Sequence, residues 1–198
     1  MASRTDELFD IFSHPDFLGM KGLANEAPIF IETYEPQNED KTRRMVADLA
    51  AGLRSIGVIA AVIDLFDLIL TQLEEEGRLE RILELEPSMG KQKLLELMNN
   101  VSDPKKRLIP AVTAAIAAES AQLALLTGVG RVYPFLRTHT ILESLQPAMV
   151  SLPVVMFFPG QYLRDDNGGM VLRLFGTAVN PPLYRPYYRA FDLHNYGL

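Results

Sequence analysis

Short apolar runs alternate with longer amphipathic segments along most of the chain. Six of these runs have the length and composition of β-strands, and turn-forming residues bound several of them. The first run is largely apolar on both faces, which is typical of a central strand covered by helices on each side. The predicted strands are 28–34, 58–63, 121–127, 153–158, 171–175 and 187–193.

Helices are predicted between these runs, because apolar residues recur there every three or four positions. Asp64 directly follows the second predicted strand, where its side chain can cap the next helix. Pro110 is expected to kink or break the helical block that contains it, because proline removes a backbone N–H. The predicted helices are 5–12, one ending near Ile56, 65–76, the helical block 78–119, and 133–145.

This alternation predicts an α/β fold. We expect a mainly parallel central sheet of about five strands with helices on both faces. The block 78–119 is then a helical insertion between the second and third strands. At 198 residues the chain fits a single α/β domain, residues 1–198, with that insertion inside it.

Composition narrows the possible functions. The chain has no cysteine, which excludes a disulfide framework, a thiolate metal site and a cysteine nucleophile. Its first residues lack the apolar core of a signal peptide, and its apolar runs are too short to cross a bilayer, so we expect a cytoplasmic protein without membrane contact. The net charge of −6 disfavours free-standing nucleic-acid binding, although indirect contact inside a larger complex stays possible.

Gly128 and Gly130 lie between a predicted strand and a predicted helix, a position where proteins often bind phosphate. A Walker A loop is absent, and no lysine lies between residues 107 and 198. A dinucleotide-binding fingerprint would need a third glycine where Tyr133 stands. We therefore interpret the two glycines as a backbone turn. Phosphate or nucleotide sensing at this turn, assisted by Arg137, is an alternative.

Four carboxylates near the ends of the first two predicted strands form the second candidate site: Glu32, Glu35, Asp64 and Asp67. If the two strands are adjacent and parallel, these groups could gather at one edge of the sheet and hold Mg²⁺ for phosphodiester cleavage. Restriction-type nucleases usually add a lysine on a neighbouring strand, and none of the predicted strands contains one. Helix capping and solvation explain the four acids more simply, so a Mg-dependent nucleic-acid-processing enzyme is the runner-up hypothesis.

The predicted helix 133–145 has one apolar and one polar face. His139 falls on the apolar face, where we expect it to be a hydrogen-bonded core residue. The polar face is a candidate contact for a partner protein or a phosphate, and it carries Tyr133, Arg137, Thr140 and Ser144. A salt bridge to one of the chain's own acids would explain Arg137 equally well. The histidines lack metal-ligand spacing and no serine-hydrolase elbow is present, so no catalytic residue, metal or cofactor is assigned.

Four segments, taken in order, resemble one protein family. Segment 22–36 (GLANEAPIFIETYEP) resembles its opening, with a glycine-leucine turn and an Asn-Glu pair before the first strand. Segment 127–147 (TGVGRVYPFLRTHTILESLQP) resembles its most distinctive block, in which Tyr-Pro-Phe-Leu-Arg follows a glycine turn. Segments 157–162 (FFPGQY) and 188–193 (YRAFDL) resemble its closing elements. On these motifs the chain is identified as a member of the BrxB family, small subunits of BREX phage-exclusion systems.

The resemblance implies a role in bacterial defence against bacteriophage. BREX systems also contain a DNA methyltransferase, an ATPase and a phosphatase-like PglZ protein, but the family supplies no reaction for BrxB itself. We therefore expect a non-enzymatic subunit that assembles with other BREX proteins, the PglZ-type component first among them. The connections 164–169 and 178–186 look longer than is typical of the family.

Overall fold

The computed structural model describes residues 3–23, 27–149, 151–164, 170–176 and 190–196. These residues form a six-stranded sheet with helices on both faces, which confirms the predicted fold class. The strands are β1 (Ile29–Tyr34), β2 (Ala60–Asp64), β3 (Leu123–Thr127), β4 (Val154–Arg164), β5 (Met170–Leu174) and β6 (Phe191–Asp192). Of the predicted strand 187–193, residues 187–189 lie outside the described residues.

Eight α-helices are present among the described residues: α1 (Arg4–Ser13), α2 (Pro15–Leu18), α3 (Glu39–Ser55), α4 (Leu65–Glu75), α5 (Leu79–Leu85), α6 (Lys91–Val101), α7 (Ile109–Glu119) and α8 (Thr138–Leu145). Short 3₁₀ turns occur at Pro36–Asn38, Glu86–Ser88 and Leu193–Asn195. The block 78–119 is therefore several helices rather than one. A π-helical turn, Pro104–Leu108, gives way to α7 one residue before Pro110, so the predicted break is confirmed.

The strand order is β2-β3-β4-β1-β6, and all neighbouring pairs along this path are parallel. Strand β5 lies off the path and pairs with β4 in antiparallel fashion. Strands β1 and β2 follow each other in the sequence, yet β3 and β4 lie between them in the sheet. The ends of β1 and β2 are consequently two strands apart in the sheet.

Each face of the sheet carries its own hydrophobic layer. Alternate strand residues such as Ile31, Leu126 and Met156 pack on one face against α4, α6, α7 and α8. The intervening residues, such as Phe30 and Phe157, pack on the other face against α1, α2 and α3. Both sets are buried, as expected for a parallel sheet sandwiched between helices.

The helical insertion contributes directly to the first of these layers. Its second half buries a row of apolar side chains in the same cluster as the strands: Val101, Leu108, Ile109, Val112 and Ile116. Its first helix, α5, has no buried residue, and Leu83 and Leu85 on it are exposed. The buried anchors of the insertion therefore lie in its second half, while α5 packs on the layer with the partly buried Leu79 and Ile82.

The predicted end of the fourth strand at Pro159 and Gly160 is wrong, because β4 continues to Arg164. Beyond Pro159 the strand changes partner and pairs with β5, in the register Gly160↔Leu174. A Cβ atom at residue 160 would lie 2.0 Å from the carbonyl oxygen of Arg173, so glycine permits this close pairing.

The side chain of Tyr162 joins β4 to the chain that enters β6. Its hydroxyl donates a hydrogen bond of 2.7 Å to the carbonyl oxygen of Ala190. Burial, reinforced by the negative charge of Asp192, raises the pKa of Tyr162 to about 12. The neutral phenol is therefore the form that the folded protein favours.

We expect Tyr162→Phe to lower the free energy of unfolding by about 1 kcal/mol at neutral pH, because the carbonyl oxygen of Ala190 then loses its hydrogen-bond donor. An unfolded tyrosine ionises near pH 10. The stability that Tyr162 contributes should therefore be present below that pH and be lost as the pH rises towards its folded pKa of about 12. Urea unfolding at neutral and alkaline pH measures both effects, with Tyr133→Phe, an exposed tyrosine, as control. An identical difference between wild type and Tyr162→Phe at both pH values would contradict this assignment.

Candidate functional site

Asp64 lies where β2 ends and α4 begins, and only 11% of its side chain is exposed. Its Oδ1 accepts hydrogen bonds from the backbone N–H groups of Phe66 (3.0 Å) and Asp67 (3.1 Å). The hydroxyl of Thr127, at the end of the neighbouring strand β3, donates a longer bond of 3.3 Å to Oδ2. The predicted cap on the helix is confirmed.

Two arginines bridge Asp64 to Asp67. From α3, Arg43 places Nε 3.2 Å from Asp64 Oδ2 and Nη2 2.8 Å from Asp67 Oδ2. Arg131, from the turn after β3, places Nη1 3.1 Å from Asp64 Oδ1 and 2.9 Å from Asp67 Oδ1. These four residues form what we call the Asp64–Asp67 ion cluster.

Arg131 is fixed by more than its two ion pairs. Its guanidinium carbon lies 4.7 Å from the centre of the Phe66 ring, within the range of a cation–π contact. Burial lowers the pKa of Arg131, but the charges of Asp64 and Asp67 outweigh this effect, and the pKa is raised overall. The guanidinium is therefore a permanent positive charge that faces both carboxylates. Because the two arginines balance the two acids, these carboxylate oxygens are already engaged.

The four predicted carboxylates do not gather at one place. Glu32 is buried on β1, where Arg4 of α1 donates to it from Nε (2.9 Å) and Nη2 (2.5 Å). His194 Nε2 lies 3.7 Å from the same carboxylate. Glu35 lies between β1 and the 3₁₀ turn at Pro36–Asn38 and makes no side-chain cap there. The expected convergence fails because two strands separate β1 from β2, and within the described ranges no group of three metal-binding side chains is placed to hold an ion.

The glycine turn after β3 allows two close approaches. Gly128 has φ +76°, and a Cβ atom there would lie 2.5 Å from Asp64 Oδ1. At residue 130 a Cβ atom would lie 2.9 Å from Pro159 Cγ and 3.0 Å from Phe175 Cε1. This geometry favours the structural interpretation of both glycines as a backbone turn.

The helix predicted at 133–145 begins only at Thr138, as α8. Residues 128–136 form successive turns instead, in which Val132 N donates to Gly128 O and Leu136 N donates to Val132 O. Pro134 accounts for part of this difference, because proline disfavours the helical conformation at Tyr133, the predicted first residue of the helix.

The buried face of α8 also differs from the predicted one. His139 is half-buried rather than part of the core. Ser144, predicted on the exposed face, is buried and donates to the carbonyl oxygen of Thr140 at 2.7 Å. Tyr133 and Arg137 are exposed, as predicted, and Thr140 is half-buried. Ser144 is therefore withdrawn from the candidate contact surface.

Phe175 joins this surface, and the sequence had placed it only at the end of a strand. Its side chain is 41% exposed, and that of Tyr133 is 47% exposed. The two rings meet edge to face, with centroids 6.1 Å apart. Phe175 also has φ +58°, a conformation that is unusual and costly for a bulky residue. We refer to this aromatic pair, together with Arg137 and Thr140 from the same segment 133–140 as Tyr133, as the aromatic–arginine surface.

Among the described residues, no helix combines the length and the apolar composition that a membrane-spanning helix requires.

Comparison with known proteins gives consistent matches. The family model described as "BREX protein BrxB" matches residues 61–193, a range that contains the aromatic–arginine surface and three members of the ion cluster. A protein named "BREX protein BrxB" from Bacillus cereus (strain H3081.97) is 31% identical over 194 residues, which cover 96% of this chain and 95% of the relative. A second protein of that name, from Escherichia coli O9:H4 (strain HS), is 28% identical over 177 residues, which cover 89% and 83%. No solved structure matches the chain. By its match to the family model over most of its length, and by its similarity to these relatives, the chain belongs to the BrxB family.

Proposed function

We propose that this chain is a non-enzymatic assembly subunit of a BREX-type bacteriophage defence system. Membership of the BrxB family supports the link to BREX, and the other proteins of that system are the natural partners. The PglZ-type phosphatase-like component is the partner that we propose. The subunit would act in the cytoplasm, and it would meet nucleic acid only through the complex.

The aromatic–arginine surface is the observation that carries this proposal. Tyr133 and Phe175 leave much of their ring area in water, although burying a large aromatic side chain is among the most favourable contributions to an interface. Their edge-to-face contact holds the two rings together before any partner arrives. Tyrosine and arginine are also enriched among the residues that dominate binding energy. A protein partner that covers this surface would gain apolar burial and a site for Arg137.

The strained backbone of Phe175 is a second argument for this surface. A left-handed conformation at a bulky residue costs on the order of 1–3 kcal/mol and tends to occur at functional sites. Here it places the ring beside Tyr133 and against Gly130.

The ion pairs of the acidic residues support a binding role over a catalytic one. Asp64 and Asp67 face two arginines, and Glu32 faces Arg4. Acids held in this way stabilise the ends of strands and helices. A Mg²⁺ site would need to draw the same oxygens away from their arginine partners.

The proposal is tested by binding of the purified chain to the PglZ-type protein of the same system. We expect a stable complex, and we expect Tyr133→Ala and Phe175→Ala each to weaken it by roughly 30-fold or more, which corresponds to the 2 kcal/mol or more that defines a dominant contact. Arg137→Ala should weaken it as well. Arg81→Ala and Leu83→Ala on α5 make similar truncations at exposed positions and should leave the affinity unchanged. Isothermal titration calorimetry gives the affinities.

Two outcomes would overturn the proposal. One is the absence of any complex with the PglZ-type protein or another BREX component at micromolar concentration. The other is cleavage of plasmid DNA by the purified chain with Mg²⁺ or Mn²⁺, if that activity is lost in Asp64→Asn. The second result would establish the nucleic-acid-processing enzyme instead.

A further inference from the structure

Segment 128–136, which joins β3 to α8, carries Tyr133 of the aromatic–arginine surface on a short run of turns. Within the described ranges, its backbone hydrogen bonds stay inside the segment and join it to no other element. Val132 and Leu136 are buried and hold its inner side against the core. Apolar contacts are not directional, so burial alone does not determine how the segment is rotated about that inner side.

Arg131 gives the segment a directional contact with the rest of the fold. Its Nη1 atom lies 3.1 Å from Asp64 Oδ1 and 2.9 Å from Asp67 Oδ1. Arg43 of α3 contacts the same two acids at their Oδ2 atoms. Each carboxylate is therefore oriented by Arg43 through one oxygen and presents the other oxygen to Arg131. Through the Asp64–Asp67 ion cluster, the segment is tied to the end of β2, to α4 and to α3.

The ring of Phe66 on α4 contacts the same segment at two residues. The guanidinium carbon of Arg131 lies 4.7 Å from the ring centre. The ring of Phe135 lies 6.4 Å away, measured between centroids. A cation–π contact and an aromatic pair both depend on how the ring is oriented. They therefore restrict the rotation of the segment relative to α4, in addition to the ion pairs.

Gly130 and Tyr133 lie close to Arg131 in the sequence, and both meet Phe175. The rings of Tyr133 and Phe175 pack edge to face. A Cβ atom at residue 130 would lie 3.0 Å from Phe175 Cε1, so the backbone there lies directly against that ring. A rotation of the segment that releases Arg131 would therefore also displace the two residues that contact Phe175.

We infer that Arg131 is a positioning residue: the ion cluster fixes its guanidinium, and Arg131 in turn fixes the part of segment 128–136 that presents Tyr133 to a partner. This inference rests on the proposed function of the aromatic–arginine surface. Without the arginine, the segment samples other arrangements, and a partner binds only the fraction of molecules in which Tyr133 is correctly placed. The apparent affinity then falls in proportion to that fraction.

Affinity for the PglZ-type protein of the same system, measured by isothermal titration calorimetry, tests the inference. We expect Arg131→Gln to weaken binding roughly tenfold, within the range found for coupled residues. Arg131→Lys should weaken it less, because lysine keeps the positive charge but loses the planar group that bridges two acids and stacks on Phe66.

Arg107→Gln is the matched control for Arg131→Gln. The side chain of Arg107 is 24% exposed, against 30% for Arg131, and it also pairs with an acid, Glu76. It lies outside segment 128–136, so its loss removes a comparable ion pair without releasing Tyr133. The Arg107→Gln variant should retain the wild-type affinity.

Two further measurements separate positioning from direct contact with the partner. In a double-mutant cycle, Arg131→Gln should have little effect once Tyr133 is replaced by alanine, because the arginine acts through that tyrosine. In the free chain, the amides of Val132 and Leu136 should exchange hydrogen at least about tenfold faster in Arg131→Gln than in Arg107→Gln, since local opening exposes them. An arginine that only touched the partner would produce neither result.

Three results would refute the inference. One is a wild-type affinity in Arg131→Gln when Tyr133→Ala weakens binding. Another is a loss of affinity in Arg131→Gln that is the same with and without Tyr133. The third is unchanged hydrogen exchange at Val132 and Leu136. Failure of the proposed function is recognised separately, because the wild-type chain then forms no complex or Tyr133→Ala binds as tightly as wild type. The exchange measurement still decides in that case whether Arg131 fixes the segment.

Discussion

Replacing Asp64 with alanine is expected to lower the free energy of unfolding by about 3–5 kcal/mol, the range found when one partner of a buried ion pair is removed. The substitution removes the cap on α4 and leaves Arg43 and Arg131 facing each other across Asp67 alone. The loss of the Asp64 partner should be most costly for Arg131, because its guanidinium is partly buried and keeps its positive charge. For a domain of this size we expect a fall in Tm of roughly 6–20 °C.

Asp64→Asn and Asp67→Ala distinguish the sources of this loss. Asparagine keeps an oxygen that can cap the helix but removes the charge, so its effect should be smaller than that of alanine. Asp67 contacts the same two arginines, but 47% of its side chain is exposed, so alanine there should cost about 1 kcal/mol or less. Urea unfolding of the three variants gives the comparison. If Asp64→Ala lowered the free energy of unfolding no more than Asp67→Ala does, the ion cluster would not stabilise the ends of β2 and β3.

Gly160→Ala is expected to cost about 3 kcal/mol or more, through the combination of backbone strain and steric overlap. Gly160 has φ +154°, and its new Cβ atom would lie 2.0 Å from the carbonyl oxygen of Arg173 in the paired strand β5. Backbone atoms cannot rotate aside as a side chain can, so the β4–β5 pairing must open.

Gly57→Ala is the matched control for Gly160→Ala. Gly57 has φ +86°, so alanine there meets the strain of a left-handed conformation. No atom lies within 4 Å of the new Cβ position at residue 57, which leaves a cost of about 1–2 kcal/mol. Thermal unfolding of both variants isolates the steric part. Equal losses for the two variants would show that the contact with Arg173 does not constrain β4.

The sequence predicts the features of this protein that depend on residues close together in the chain. Asp64 caps the helix that begins at the very next residue, and its acceptor contacts are with N–H groups two and three positions later. The break beside Pro110 has the same local origin. Both could be predicted because local backbone chemistry determines them.

Features that depend on strand order could not be read from the sequence. Glu32 and Asp64 lie at comparable places on successive strands, which suggested one carboxylate cluster. The sheet inserts β3 and β4 between them, and the two acids find separate arginine partners. Arg43 contacts Asp67 at a separation of 24 residues in the sequence, and nothing in its local pattern indicates that partner.

The apolar pattern of segment 133–145 predicted a helix that starts five residues too early. The predicted faces were set partly by Val132, Phe135 and Leu136, which lie outside α8. The helix itself spans only Thr138–Leu145, and its buried face includes Ser144. Phe175 was missed for a different reason, since its contact with Tyr133 depends on where β5 returns beside the glycine turn.

The position of β1 between β4 and β6 has a consequence for biosynthesis. Strand β1 leaves the ribosome before every other strand of the sheet, but both of its partners are made much later. Until then β1 exposes apolar side chains on both of its faces, such as those of Phe30 and Ile31, and its backbone is unpaired on both edges. Sheets that depend on such distant pairings fold slowly and leave aggregation-prone segments exposed for longer. A chain halted before β4 would therefore be a candidate for chaperones or proteolysis, because only a chain whose synthesis has passed β6 can complete the pairing of β1.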